Sequence, residues 1–156
     1  MINFDQLNDD LSNVKKILKP IVKEIKNAKD DISLDKKNIS VAIVQQASLV
    51  AYYDEIKSEL KHLMDYSEIL IKRKKGIIYK EILNNMAKSL TDRALDKLVE
   101  ADDAYLDVYR QYLDIKELYD KTSGVVSALT QRSYSLNNLV KIYENELQNI
   151  TVYENA

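Results

Sequence analysis

A chain of 156 residues is the length of one domain, and with only 2 Gly and 1 Pro it lacks the turn residues that a β-sandwich or barrel needs. With 46% hydrophobic and 31% charged residues it reads as soluble, neither disordered nor membrane-spanning; without Cys it has no disulfide and no thiolate metal site. The net charge of −2 hides an asymmetry, because residues 56–93 carry nine Lys/Arg against five Asp/Glu while residues 100–156 carry five against ten. A basic centre followed by an acidic third points to two different partners or to like chains meeting head to tail.

The opening MINFDQLNDD has no basic stretch leading into an apolar one, so no signal peptide is expected. From about Phe4 to Ala28, Leu7, Leu11, Val14, Leu18, Val22 and Ile25 recur at steps of three and four and predict one helical face. Pro20 removes a backbone donor and predicts a kink or break near Lys19. Asp30, Asp31, Ser33 and Asp35 are competent N-caps, so a loop feeding a new helix is expected there.

That helix is expected over residues 34–86. Leu49, Tyr53, Ile56, Leu60, Leu63, Ser67, Leu70, Lys74 and Ile77 form a heptad seam, which calls for a coiled-coil partner. The longest uncharged run, residues 38–53, is too short and polar to span a bilayer. Gly76 weakens the helix by about 1 kcal/mol relative to Ala, and Asn84-Asn85 ends or loosens it.

A cap within Ser89-Leu90-Thr91-Asp92 opens a second long helix, expected over residues 89–132. Its seam is read through Leu95, Leu98, Asp102, Tyr105, Tyr109, Tyr112, Lys116, Tyr119, Ser123 and Val126, with Val108, Ile115 and Leu129 widening the face. Ser133-Tyr-Ser-Leu136 reads as a break before a C-terminal helix over residues 133–150, whose apolar positions are Leu136, Leu139, Val140, Tyr143 and Leu147. The fold class is therefore all-α: a long antiparallel, coiled-coil-like helical hairpin with shorter N- and C-terminal helices, assembling as a homo-oligomer.

Catalytic chemistry finds little footing. His62 is the only histidine and reads as a half-exposed structural residue, with no ligand pattern around it. Glu100, Asp102 and Asp103 point in different directions on a helix, and the two glycines, at 76 and 124, rule out a Gly-rich phosphate loop. The chain is read as no enzyme and as needing no cofactor or metal. What remains is IKRKKGIIYK, residues 71–80, in which Lys72, Arg73, Lys74, Lys75 and Lys80 place five cations on about three helical turns. Such a cluster neutralises phosphates with salt-dependent affinity, and Tyr79 and Tyr66 are candidates for stacking on bases. A solvated face, an acidic partner protein or an anionic membrane surface accounts for the same residues.

Residues 100–147 carry a further pattern: Ala101-Asp102, Tyr112, the 120–124 stretch ending in Ser123-Gly124, and Arg132-x-Tyr134-x-Leu136 followed by Leu139. In that order and spacing they resemble the C-terminal half of phage recombination mediator proteins of the UvsY family. The opening FDQLNDDLS is similar to that family's short acidic N-terminal segment, and the basic run occupies the place of its Lys/Arg-bearing helix, with Lys72 and Lys74 the best counterparts of the DNA-contacting pair. Residues 13–27 are extra here, and the family's Gly/Asp-rich stretch after the basic helix is missing.

The resemblance implies a DNA recombination mediator of a bacteriophage, acting in replication and repair in the host bacterium's cytoplasm. It implies a homo-oligomeric ring, typically a heptamer, that binds single-stranded DNA. It further implies that the ring helps load a RecA-like recombinase onto strands coated by single-strand-binding protein. The oligomer interface is then expected at Tyr112, Tyr119, Tyr134, Leu136, Leu139, Val140 and Tyr143. The alternative is a coiled-coil structural or chaperone-like protein whose basic run meets an acidic partner.

Overall fold

The computed structural model describes residues 2, 7, 11–34, 38–85 and 90–153. The described residues form four helices and no strand: α1 (Val14–Ile32), α2 (Ile39–Asn85), α3 (Asp92–Glu100) and α4 (Asp103–Tyr153). The all-α expectation holds. Residues 3–6 and 8–10 of the acidic opening segment, together with Asp35 and Ser89, lie outside the described residues.

α1 begins later and ends later than its periodicity predicts, and it runs through Pro20 without a break. Pro20 sits in the second turn, on the exposed side, while Val14, Leu18, Ile21 and Ala28 face the core. Asp30 and Asp31 therefore lie inside α1 instead of capping the next helix. That role falls to Asn38, whose side chain accepts from the Ser40 amide at 2.9 Å.

α2 is a 47-residue helix, and its predicted seam is largely the buried one: Tyr53, Ile56, Leu60, Leu63, Ser67 and Leu70 all face inward. Past Lys74 the buried position moves from Ile77 to Ile78, the drift a 3.6-residue turn imposes on a seven-residue repeat. Ser67 fits the apolar stripe because its hydroxyl donates to the Leu63 carbonyl one turn earlier, at 2.7 Å.

The second predicted helix is divided. Thr91 caps α3, accepting from the Ala94 amide at 3.3 Å. α3 then stops at Glu100, and Asp102 restarts the chain as α4 by accepting from the amides of Ala104 and Tyr105 at 2.9 and 3.3 Å. Asp102 is thus a cap and not a polar interruption of a continuous seam. Conversely, the break expected at Ser133 does not occur, and α4 continues to Tyr153. The hydroxyls of Ser133 and Ser135 turn back to the carbonyls of Leu129 and Gln131, at 3.4 and 3.3 Å, which lets both serines sit inside a helix.

The buried stripe of α4 is Val108, Ile115, Leu118, Thr122, Val125, Leu129, Arg132 and Leu136. It lies one residue ahead of the predicted Tyr112–Tyr119–Val126 line. Aliphatic side chains bury without a hydroxyl to satisfy, so they take the core, while the tyrosines lie at its edge with their hydroxyl ends in reach of polar partners.

α2 and α4 pack along each other. Gln46 meets Leu129 and Ser133, Glu68 meets Tyr112, and Lys75 meets α3, so contacts step up α2 as they step down the C-terminal half. α1 covers one side of this pair: Leu11, Val14, Leu18, Ile21 and Ala28 join the core made by the seams of α2 and α4. Lys15 reaches Asp114 of α4 at 3.5 Å, an exposed ion pair worth little.

Tyr53 ties α1 to α2. It is 0% exposed, and its hydroxyl donates to the Asp31 carboxylate at 2.8 Å. Burial first, and the Asp31 carboxylate second, push its phenol above the usual 10.0. The folded state therefore favours the protonated phenol, so this contribution is full below about pH 10 and is lost as pH rises further. Tyr53→Phe is expected to cost about 1 kcal/mol at pH 7 and to flatten the stability loss between pH 9 and 11. Denaturant titrations at both pH values check this; equal pH slopes in the two proteins would refute it.

Candidate nucleic-acid interface

The predicted cations all lie on α2, but α3 separates them into two groups. Lys75 is turned to α3, where its ammonium pairs with Asp96 at 3.0 Å and Glu100 at 3.9 Å. Its hydrogen bond to Asp96 raises its pKa above 10.5. The five-cation run is therefore corrected: Lys75 anchors α3 and is already neutralised within the chain. Lys74 is half-buried at a seam position.

Lys72, Arg73 and Lys80 point outward. Among the described residues no carboxylate pairs with Lys72 or Lys80. Their spacing places them on the same side of α2 as Ile69, Gly76, Ile77 and Leu83. The three apolar members are 62%, 43% and 51% exposed, respectively, and a Cβ built at Gly76 meets nothing within 4 Å. The result is an open face on which cations alternate with aliphatic side chains. Phosphates fit the first and the flat faces of unpaired bases fit the second.

The two tyrosines considered for stacking are placed less openly. Tyr66 is packed against the core and Tyr79 is half-buried. The exposed apolar side chains on this face are instead the aliphatic Ile69, Ile77 and Leu83. Another aromatic feature, a ladder of Tyr105, Tyr109 and Tyr112 with ring centroids 5.9 and 6.0 Å apart, runs along α4. It lies on α4, whereas Lys72 and Lys80 lie on α2, so it is no part of the cationic face of that helix.

No protein-family model matches the chain, and no curated protein or solved structure matches it. The site therefore stands on its own geometry.

The residues expected at an oligomer interface fall into two sets. Tyr112 donates its hydroxyl to Glu68 at 3.2 Å within the chain, Tyr119 is half-buried against the core, and Leu136 is only 3% exposed. These three are occupied by intrachain packing. Tyr134 and Tyr143 are 62% and 52% exposed, with Leu139 and Val140 half-buried between them.

His62 is exposed on α2. Among the described residues no group of His, Asp and Glu is placed to hold a metal ion, and no helix is long and apolar enough to cross a membrane.

Proposed function

We propose that the chain is a non-catalytic recombination mediator: a homo-oligomer that binds single-stranded DNA and helps load a RecA-like phage recombinase onto strands coated by single-strand-binding protein. The observation that carries the DNA-binding half is the outward face of α2, where Lys72, Arg73 and Lys80 alternate with Ile69, Ile77 and Leu83. The loading role and the two protein partners rest on the resemblance of residues 100–147 to the UvsY family. α2 and α4 serve as the arms of an antiparallel coiled-coil-like hairpin, which holds the cationic face away from the exposed apolar end formed by Val41, Val44, Tyr134 and Tyr143.

Assembly multiplies the patch. Seven copies, each with Lys72 and Lys80 outward and without an ion pair among the described residues, would present about 14 charges to one strand, so weak contacts per subunit add to tight binding through multivalency. The test is fluorescence anisotropy with a labelled single-stranded oligonucleotide across a salt series. Binding that weakens linearly in log salt is expected. Flat anisotropy at low salt would remove DNA from the account and leave the reading of a coiled-coil protein with an acidic partner, which the same cations would serve.

A further inference from the structure

α1 carries charge that neither its own packing nor the face of α2 uses. Residues 14–29 contain six lysines and one acid, Glu24. Lys15, Lys16, Lys19, Lys23, Lys26 and Lys29 are all exposed. Glu24 is half-buried on the other side of the helix, in the cleft where α1 meets Tyr52 and Glu55 of α2.

The inward side of α1 sets this pattern. Val14, Leu18, Ile21 and Ala28 are committed to the core, and Ile17, Val22 and Ile25 are half-buried beside them. The lysines take the remaining positions, and Lys16, Lys19, Lys23 and Lys26 follow one another at steps of three, four and three. Such steps place them on one face, over about 15 Å of helix. Lys15 pairs with Asp114 at 3.5 Å and still stays 79% exposed. Among the described residues the other five lysines make no ion pair. Asp30 stands at the C-terminal end of the stripe. Lysines one turn apart repel one another, and an anion laid along them relieves that repulsion.

The chemistry of the face selects the anion. A helix lying on a membrane is held by its apolar side, and that side of α1 is already in the core. The centre of a protein interface is depleted in lysine and relies on apolar anchors, whereas Pro20 is the only exposed apolar residue of α1. A phosphate backbone needs no apolar contact. A duplex presents one charge per about 1.7 Å, so about nine phosphates lie within the length of the stripe, more than it has cations.

We propose that the lysine face of α1 is a second nucleic-acid contact, one that takes the phosphate backbone alone and therefore duplex as well as single strand. The face of α2 differs from it, because Ile69, Ile77 and Leu83 offer apolar surface to unpaired bases. The α1 contact is a separate assignment and does not rest on the α2 reading.

Fluorescence anisotropy of the full chain with a labelled duplex across a salt series tests it. Lys19→Gln with Lys23→Gln is expected to weaken duplex binding about 60-fold at 0.1 M salt for each engaged subunit. The slope of log affinity against log salt should fall by about 1.8, since each phosphate neutralised on a duplex contributes roughly 0.9. Both side chains are exposed and make no ion pair among the described residues, and Gln forms helix as readily as Lys, so helicity should not change. Lys19→Arg with Lys23→Arg keeps the charge and should bind within about threefold of wild type. Lys116→Gln with Lys141→Gln removes the same charge from exposed positions on α4 and should also stay within about threefold. No duplex binding by the wild type at low salt, an equal loss in the α4 control, or wild-type affinity in the Lys19→Gln, Lys23→Gln variant would each overturn the inference. Wild-type protein that sediments with phosphatidylserine vesicles but does not bind the duplex would assign the face to a membrane surface instead. Failure of the α2 reading shows in Lys72→Gln with Lys80→Gln on a single strand, and leaves these results standing.

Discussion

Replacing Lys72 and Lys80 together by Gln is expected to weaken binding to a single-stranded oligonucleotide about 25-fold at 0.1 M salt for each subunit that engages the strand. Each phosphate neutralised on a single strand contributes roughly 0.7 to the slope of log affinity against log salt, so two lost cations remove about 1.4 from the slope and, at 0.1 M, about 1.4 decades of affinity per engaged subunit. Both side chains are exposed and make no ion pair among the described residues, so helicity and assembly should survive. Lys75→Gln is the control. Its ammonium already belongs to Asp96 and Glu100, so its loss should change affinity by no more than about threefold and loosen α3 slightly. A double variant that binds with wild-type affinity and slope would put the strand elsewhere on the protein.

Ile115→Ala is expected to destabilise the fold by about 3 kcal/mol, while Leu113→Ala changes it by less than about 0.5 kcal/mol. Ile115 is 0% exposed in the α2–α4 core, and Leu113, two residues earlier, is 45% exposed. Truncating the first removes about three methylene equivalents and leaves a cavity between two long helices that have little freedom to collapse. For a chain of this size that loss lowers the thermal midpoint by roughly 10 °C. Equal losses at both positions would return the seam to the tyrosine side.

That contrast marks where the sequence was readable and where it was not. The seam of α2 was legible because Ile56, Leu60, Leu63 and Leu70 are aliphatic at strict heptad spacing. α4 offered two stripes one residue apart. Reading tyrosines as core chose the wrong one, because periodicity counts a phenol as apolar without asking where its hydroxyl goes. Helix ends were misread for a related reason. Ser133 was read as a break and Asp102 as a position within a continuous seam, but Ser133 satisfies its hydroxyl on its own helix, whereas Asp102 caps α4 through two free amides ahead of it.

The candidate site was half legible. The basic run stands out in one dimension, yet its partition into an outward face and an internal anchor depends on α3, twenty residues further along the chain. The exposed Ile69, Ile77 and Leu83 are passed over by a search for charge. The burial of Arg132 against Gln46 was not legible, since two polar residues 86 positions apart look like surface until the helices bring them together.

The central claim is that a chain of 18.0 kDa assembles with itself and holds a single strand. Light scattering of the full protein with and without a single-stranded oligonucleotide tests both halves at once. The predicted result is a mass that is a multiple of 18.0 kDa and that rises by the mass of the oligonucleotide at low salt. A mass of one chain, unchanged when the oligonucleotide is added, would contradict it.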